Sequence, residues 1–315
     1  MDIRFGRDIY TVEKTITNVI DYLMVVNDIQ GHCMQRENVF LFRGEAKDYG
    51  STKLTPQLFR KIEWIDNEHI MLNRYISKFP DVLPTGTSAF DVIIYADHYS
   101  LPTRVLDVSY SPLVALYMSC SNHKDEDGFV YVFKVKKDQI KFWNSDTVAL
   151  LSNIAKMEST FDSSKISKTD IGRLLHYVRD ERNDFYQMYG DEQIQEYKKD
   201  LAKIVCVESK QLNKRIINQQ GLFFLFGIDG KKSNYERLTF DEDVTIHQIK
   251  IVNNAKQDIL NSLSLYGVDK MTMFPDMQNV CEALKEGNYD CSKDNRIRCN
   301  FVSMSGNRFS TLLSK

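Results

Sequence analysis

Two short apolar runs most constrain what this 315-residue chain can fold into. Residues 39–42 (VFLF) and 222–226 (LFFLF) are continuously apolar over lengths typical of buried strands. The apolar spacing of residues 11–27 predicts a helix that ends before Gly31, and residues 62–79 are also expected to be helical. This mixture of strands and helices predicts an α+β fold.

A unit of helix, loop and strand lies between the two runs. Ser111 suits a helix N-cap, and Pro112 suits the first helical position, where its missing N–H costs nothing. After a polar loop, the alternation of residues 129–135 predicts a strand, and residues 244–252 are expected to be extended. Two later helices, each followed by a capping glycine, are predicted at residues 255–266 before Gly267 and residues 278–286 before Gly287.

Residues 145–203 predict a helical insert within the same domain. The segment is rich in charge, and Val148, Leu151 and Ala155 have the spacing of one apolar helix face. No linker rich in Pro, Gly or Ser flanks it, so a separate domain is not expected.

Composition excludes several classes of protein. The chain has 41 basic and 43 acidic residues, and a net charge of −2 argues against broad, charge-driven binding of nucleic acid. Its six cysteines form no Cys-x-x-Cys pair, which is typical of reduced thiols in a cytosolic protein. Because the sequence contains neither a secretory signal nor an apolar run of membrane-spanning length, we expect a cytoplasmic protein with no membrane partner.

Polar residues predict where a ligand binds. Arg43 ends the first apolar run, and a guanidinium grips phosphate through two parallel hydrogen bonds. In the later block of residues 98–107 (HYSLPTRVLD), the His98 imidazole could donate to a ribose hydroxyl and the Tyr99 ring could stack on a planar base. Arg104 would add a second phosphate contact. The sequence therefore predicts a site for a phosphorylated or dinucleotide ligand.

These motifs resemble those of a known family. Phe42-Arg43-Gly44, the block 98–107 and residues 215–223 (RIINQQGLF) resemble the three signatures of FRG-domain proteins, with residues 274–276 (FPD) as a further mark. The resemblance implies an FRG domain over residues 1–290, followed by a C-terminal tail, residues 291–315, of uncertain packing.

The order of these parts also resembles the ADP-ribosyltransferase core. That resemblance implies a split mixed or antiparallel sheet with surrounding helices, and NAD as the substrate. Arg43 would take the arginine position, Ser109 and Ser111 the Ser-x-Ser position, and Gln219 would stand near the glutamate position. The residues implied to contact NAD are Arg43, Gly44, His98, Tyr99, Thr103, Arg104, Ser109 and Ser111.

Gln219 departs from the family pattern, because glutamine can hold a ribose hydroxyl but brings no negative charge. A charged stabiliser of the transition state is worth several kcal/mol in a closed site. Asp107 is the preferred substitute, with Glu45 and Glu208 as weaker candidates. The implied catalytic set is therefore Arg43, His98, Asp107 and Gln219.

Structural roles stay open for the same residues. Arg43 could form a buried salt bridge with Asp107, or Arg104 could pair with Asp107 to close a loop. His98 and Tyr99 could serve packing and hydrogen bonding alone, and Gln219 could satisfy backbone groups at a strand entrance.

Other chemistries find little support in the sequence. It has no Gly-x-Ser-x-Gly elbow, no P-loop, no Gly-x-Gly-x-x-Gly and no metal-ligand spacing, so no metal is expected. The resemblance implies an NAD-dependent effector in bacterial toxin or anti-phage systems, acting on a macromolecular acceptor and restrained by an antitoxin or triggered by phage. The alternatives are a non-catalytic nucleotide-sensing or protein-interaction module and a nucleic-acid-binding or processing protein.

Overall fold

An open, mixed sheet of eight strands forms the centre of the fold. The structure is a computed structural model that describes residues 9–31, 37–84, 86–165, 168–182, 185, 191–236 and 238–286. The strands are β1 (Ile9–Ile16), β2 (Asn38–Glu45), β3 (Val105–Ser109), β4 (Gly128–Lys136), β5 (Ile140–Phe142), β6 (Ile204–Glu208), β7 (Gly221–Phe226), β8 (Asp229–Lys231), β9 (Asn234–Glu236) and β10 (Thr245–Ile251). The sheet order is β1-β10-β4-β2-β3-β7-β6-β5, and β8 and β9 form a separate pair.

Twelve α-helices lie within the described ranges. They are α1 (Val19–Gly31), α2 (Ile62–Asp66), α3 (Glu68–Lys78), α4 (Ala89–His98), α5 (Pro112–Cys120), α6 (Asp146–Asn153), α7 (Lys168–Glu181), α8 (Asp191–Leu201), α9 (Lys214–Gln219), α10 (Lys256–Leu265), α11 (Lys270–Met273) and α12 (Met277–Glu286). None of the helices in this part of the chain has the length and apolar character needed to cross a bilayer.

The sheet comes apart at its centre. Strand β2 pairs antiparallel with β4 along its whole length, but it meets β3 through a single residue pair, Phe42 with Ser109. Beyond that pair the two strands diverge, so the ladder hydrogen bonds that a continuous sheet would make are missing there. The edge of this gap is where the polar residues of β2 and β3 become accessible.

The two faces of the sheet differ in what covers them. One face carries both groups of helices: α1, α5 and α10 pack on β2, β4 and β10, and α4, α6 and α7 pack on β3 and β7. Because strand side chains alternate, Phe42 points to the side of α5, and Leu41 and Phe133 belong to the core on the opposite side. Arg43 shares the side of Leu41, and Asp107 shares the side of Phe42.

Most of the predicted elements are confirmed. The two apolar runs lie in β2 and β7, residues 129–135 lie in β4, and residues 244–252 contain β10. Ser111 caps α5 by accepting a hydrogen bond from the Val114 backbone, with Pro112 at the first turn. Gly267 follows α10 with a positive φ, as expected of a capping glycine. The expected roles of Gly287 and residues 291–315 fall outside the described residues.

The prediction of one helix over residues 11–27 is wrong. Residues up to Ile16 form β1, which pairs in parallel with β10, and the helix α1 begins only at Val19 and includes Gly31. The β-branched residues of this stretch favour a strand once a partner strand is present. That partner lies more than 200 residues away in the chain, so the local spacing does not report it.

The segment 145–203 is helical, as predicted. It contains α6, α7 and α8, and the side chains of Val148, Leu151 and Ala155 are all buried. These helices pack with α4 in the core that lies beside β3 and β7. They therefore support the strand that carries Asp107.

Candidate functional site

A cavity of about 350 Å³ opens where β2 and β3 separate. Its walls come from the end of β2, from β3, α5 and α9, from the C-terminal end of α4, and from the segment of residues 49–60. The charged side chains that line it are Arg43, Glu45, Arg60, Asp97, Asp107 and Arg215. A volume of this size lies at the lower end of the range of small-molecule sites.

Arg43 spans the gap between the two strands. Its Nη1 donates to the backbone carbonyl of Asp107 at 2.8 Å, and its Nε lies 3.3 Å from Glu45 Oε1. The expected side-chain salt bridge with Asp107 does not form, because the contact is to the Asp107 backbone. Arg43 is thus fixed at two points and still faces the cavity.

The residues on either side of Arg43 show why Phe42 and Gly44 flank it in the Phe42-Arg43-Gly44 tripeptide. Phe42 is buried in the core beneath α5. Gly44 lies so close to α5 that a Cβ atom there would overlap the Ala115 carbonyl oxygen and Ser119 nitrogen. Phe42 therefore packs in the core, Arg43 faces the cavity, and Gly44 allows close contact with α5. Gly44 borders the cavity, as the sequence suggested.

His98 ends α4 at the cavity wall. Asn213 Nδ2 lies 2.9 Å from His98 Nδ1, and because an amide nitrogen can only donate, Nδ1 accepts and the ring proton sits on Nε2. Burial lowers the pKa of His98 to about 4, and the charge of Arg215 adds to this against the opposing charge of Asp107. His98 is therefore a neutral imidazole at neutral pH, with an Nε2–H left to donate.

Two carboxyl groups share the same wall of the cavity. Asp97 lies within hydrogen-bonding reach of the Asp107 carboxyl, and its Oδ1 accepts from Thr103 Oγ1 at 2.6 Å. Burial and the negative charge of Asp107 raise the pKa of Asp97 well above its ordinary value. Asp107 Oδ1 is buried and accepts no hydrogen bond within the described residues. The raised pKa favours a neutral Asp97, so the two neighbouring carboxyls can lie together without mutual repulsion.

Gln219 reaches the cavity from the end of α9, not from the entrance of β7 itself. Its Nε2 donates to the Met273 carbonyl at 2.8 Å, and its own backbone carbonyl accepts from Ser109 Oγ at 2.6 Å. Ser109 lies in the cavity wall and also accepts from the Ser111 backbone N–H. These bonds join α9, β3 and α5 around the gap.

Five residues expected at the site do not line the cavity. Tyr99 projects into solvent with 72% of its surface exposed, so it cannot stack on a ligand bound there. Thr103 is buried and holds Asp97, and Ser111 caps α5. Glu208, a weaker candidate for the missing charge, also lies away from the cavity.

The fifth residue, Arg104, is fully buried in an ion cluster. Its Nε donates to Glu68 Oε1 at 2.7 Å and its Nη1 to the Phe226 carbonyl at 3.0 Å, and Lys232 Nζ lies 2.8 Å from the same Glu68 carboxyl. Burial alone would raise the pKa of Glu68, but the two cations outweigh it and hold the pKa at about 2. Arg104 therefore pairs with Glu68 and not with Asp107, and it supplies no phosphate contact at the cavity.

Sequence reasoning missed several residues of the cavity. Asp97 and Arg60 were assigned no role, and Arg215 was noted only as part of a signature. Arg215 Nη1 donates to the His98 carbonyl at 2.7 Å, and its guanidinium lies 4.9 Å from the centre of the Phe274 ring. The signal that could have pointed to Arg215 was its position two residues after Asn213, at the start of the third signature.

Lys256 stabilises the part of the cavity wall that includes Ala46 and Asn122. Its side chain is buried, and Nζ donates to the backbone carbonyls of Ala46, Asn122 and His123 at 2.7, 3.2 and 2.9 Å. Ala46 and Asn122 both line the cavity. The ammonium group therefore holds the end of β2 against the loop that follows α5.

Comparison with known families decides part of the identity. A family model described as the FRG domain matches residues 38–128. An FRG domain is therefore found at residues 38–128. The matched segment runs from the start of β2 to the start of β4 and includes Arg43, His98 and Asp107, whereas Arg215 and Gln219 complete the cavity from outside it.

The other comparisons add no relative to the FRG domain. No curated protein and no solved structure matches the chain. Neither comparison supports the resemblance to the ADP-ribosyltransferase core. In the part of the chain that the structure describes, no three His, Cys, Asp or Glu side chains lie together as a metal site would need.

Proposed function

We propose that the cavity binds NAD and that the protein cleaves the bond between nicotinamide and ribose. The ADP-ribose is then transferred to a macromolecular acceptor or to water. One observation carries the proposal: Arg43, His98, Asp107 and Gln219, which lie far apart in the chain, line a single cavity at the gap in the sheet.

Arg43 and His98 are suited to hold the ligand. The Arg43 guanidinium is fixed by Glu45 and by the Asp107 carbonyl, which leaves Nη2 to bind a phosphate oxygen. The His98 Nε2–H is suited to donate to a ribose hydroxyl. Gln219 Oε1 would accept from another hydroxyl, since its amide nitrogen is already used by Met273.

Asp107 supplies the negative charge that Gln219 lacks. As the C–N bond breaks and its electron pair leaves with nicotinamide, positive charge develops on the ribose, and a fixed carboxylate nearby stabilises it. Asp107 Oδ1 is buried and accepts no hydrogen bond within the described residues. The raised pKa of Asp97 favours its neutral form, which places no second negative charge beside Asp107. The Asp107 carboxylate would then take the proton that the attacking acceptor releases.

The size of the cavity restricts how NAD would lie. About 350 Å³ accommodates the reacting nicotinamide ribose and the phosphates, and the adenosine half would extend from the mouth. The buried carboxyls would then face the ribose, and the arginines would face the diphosphate. This orientation places the charges of the ligand against opposite charges of the protein.

Nicotinamide release tests the proposal. Purified protein is incubated with labelled NAD and cell lysate, and both nicotinamide release and transfer of label are followed. We expect turnover to fall at least roughly a hundredfold in Asp107→Asn, the size of effect seen when one charge stabiliser is removed. Arg43→Ala and Gln219→Ala should also lose turnover, while Glu208→Gln, a matched carboxyl change away from the cavity, should not. Full turnover in Arg43→Ala would show that Arg43 does not hold the phosphates of NAD during the reaction.

A non-catalytic nucleotide-binding module is the second candidate. Gln219 favours it, because its amide is engaged by Met273 and it brings no charge to the ribose. Binding of NAD without nicotinamide release in the wild type would support this candidate over the enzyme. The toxin or anti-phage role, with an antitoxin or phage trigger as partner, stays part of the first proposal and depends on finding the acceptor.

A further inference from the structure

A second arginine stands beside Arg43 in the cavity. Arg60 is the last residue of a single 3-10 turn (Gln57–Arg60) that follows Pro56, and both Pro56 and Arg60 line the cavity. Burial lowers the pKa of Arg60, and the positive charge of Arg43, which lines the same cavity, lowers it further. Arginine nevertheless stays protonated at neutral pH.

Arg60 is held in a fixed position. Its Nε and Nη2 both donate to the Thr55 carbonyl, at 3.3 and 3.2 Å. Its guanidinium also lies 5.2 Å from the centre of the Tyr49 ring, within the range of a cation–π contact. The long Arg60 side chain would be flexible in solution, but these contacts fix it before any ligand binds. Little side-chain entropy is therefore lost when it binds an anion.

Within the described residues, one carboxylate is bonded to this pair of arginines. Glu45 is the acidic side chain bonded to Arg43, and its Oε1 is shared between Arg43 Nε and the Leu54 backbone N–H. Arg60 bonds there to the Thr55 carbonyl and to no carboxylate. Like charges brought together in a half-buried space raise the free energy unless an anion joins them.

Both guanidiniums keep donors for such an anion. Within the described residues, Arg43 Nη2 and Arg60 Nη1 have no hydrogen-bond partner, while the other contacts of each group are to fixed backbone or carboxylate oxygens. We infer that Arg43 and Arg60 together form a subsite for a diphosphate group, each guanidinium binding one phosphate. This deepens the proposed function by naming the second residue that would hold the diphosphate of NAD, a role that the sequence suggested for Arg104.

Binding of inorganic pyrophosphate tests the subsite directly. Isothermal titration would compare pyrophosphate with orthophosphate on the wild-type protein and on the Arg60→Ala, Arg60→Gln and Arg43→Ala variants. Arg74, an exposed arginine on α3 away from the cavity, gives the matched control Arg74→Ala. Arg60→Gln retains a donor for the Thr55 carbonyl, so it separates loss of charge from loss of local structure.

We expect pyrophosphate to bind more tightly than orthophosphate, and each change at Arg43 or Arg60 to weaken it roughly tenfold or more. The double variant should lose less than the product of the two single losses, because both residues act on one ligand. Arg74→Ala should bind as the wild type does. The inference is overturned if pyrophosphate shows no preference over orthophosphate, or if both Arg60 variants keep wild-type affinity.

The subsite and the proposed reaction can fail separately. Pyrophosphate binding that depends on Arg60, in a protein that releases no nicotinamide, would retain the subsite and remove the reaction. Nicotinamide release that is unchanged by Arg60→Gln, together with unchanged pyrophosphate affinity, would retain the reaction and remove the subsite.

Discussion

Arg43 Nη1 donates to the backbone carbonyl of Asp107 at 2.8 Å, across the point where β2 and β3 separate. The bond takes the place of a ladder hydrogen bond between two strands that pair through only one residue on each side. The same guanidinium faces the cavity. Arg43 therefore joins the two halves of the sheet at the position where a ligand would bind.

Replacing Arg43 by lysine should separate charge from geometry. A single ammonium cannot contact Glu45, the Asp107 carbonyl and a phosphate at once, since it lacks the planar fork of a guanidinium. We expect the Kd for NAD in Arg43→Lys to rise roughly tenfold or more, and the free energy of unfolding to fall by about 1 kcal/mol. Calorimetric titration and urea unfolding measure these two quantities. Wild-type affinity in this variant would show that the fork does not contact the ligand.

The buried carboxyl of Glu68 should be essential for stability. Glu68→Gln leaves Arg104 and Lys232 buried without their counter-charge, which costs about 3–5 kcal/mol in comparable sites. The matched control is Glu63→Gln on α2, where the side chain is exposed and the expected change is within about 0.5 kcal/mol. Urea unfolding of both variants measures the difference. Equal stability of the two would contradict the role assigned to the ion cluster.

The Glu68 cluster also predicts the response of the protein to acid. The pKa of Glu68 is about 2 in the folded protein, below its ordinary value of 4.5. Its contribution to stability is therefore present above the ordinary value and is lost as the pH falls from there toward 2. The Glu68→Gln variant should lack this part of the acid-induced loss.

Asp97 should give the opposite dependence on pH. Its pKa is raised, so the folded protein holds a proton that the unfolded chain releases above about pH 4. Stability from this group therefore decreases as the pH rises from about 4 toward the raised value. Asp97→Asn cannot ionise and still accepts from Thr103, so its stability relative to the wild type should increase between pH 5 and pH 8. Parallel stability curves across that range would mean that the folded protein does not hold Asp97 protonated there.

Gly44 should tolerate no side chain. A methyl group there would overlap the Ala115 carbonyl oxygen and force α5 away from β2, at a cost of about 3 kcal/mol or more. Gly172 on α7 has open space around its Cβ position, so Gly172→Ala should be neutral or should stabilise by about 0.5–1 kcal/mol. Thermal unfolding of Gly44→Ala and Gly172→Ala gives the comparison. A stable Gly44→Ala variant would contradict the close contact of β2 with α5.

The sequence correctly predicted secondary-structure elements whose position depends on residues close together in the chain. The apolar run of β7 and the Ser111-Pro112 start of α5 were both found, because each depends on residues adjacent in the chain. Strand β3 was missed, since its five residues include Asp107 and Ser109 in alternation with apolar ones and resemble a polar turn. The strand β1 was mistaken for a helix because its partner β10 is distant.

Some of the residues that line the cavity were predicted from the sequence, and others were not. Arg43, His98, Asp107 and Gln219 were chosen by residue type and resemblance, and all four line the cavity. Arg104 was predicted to contact phosphate because it belongs to the polar block of residues 98–107, but its guanidinium pairs with Glu68. Partners of this kind depend on how distant elements pack, so a single sequence does not reveal them.

Hydrogen exchange in the presence of NAD tests most directly whether these distant segments form one binding site. Backbone exchange would be measured by mass spectrometry on the wild-type protein with and without NAD, and on Arg43→Ala as the control. We expect NAD to slow exchange together in β2, in residues 97–109 and in residues 215–221, and to have no such effect on Arg43→Ala. Protection confined to one of these segments, or protection elsewhere on the protein, would contradict a shared cavity for NAD.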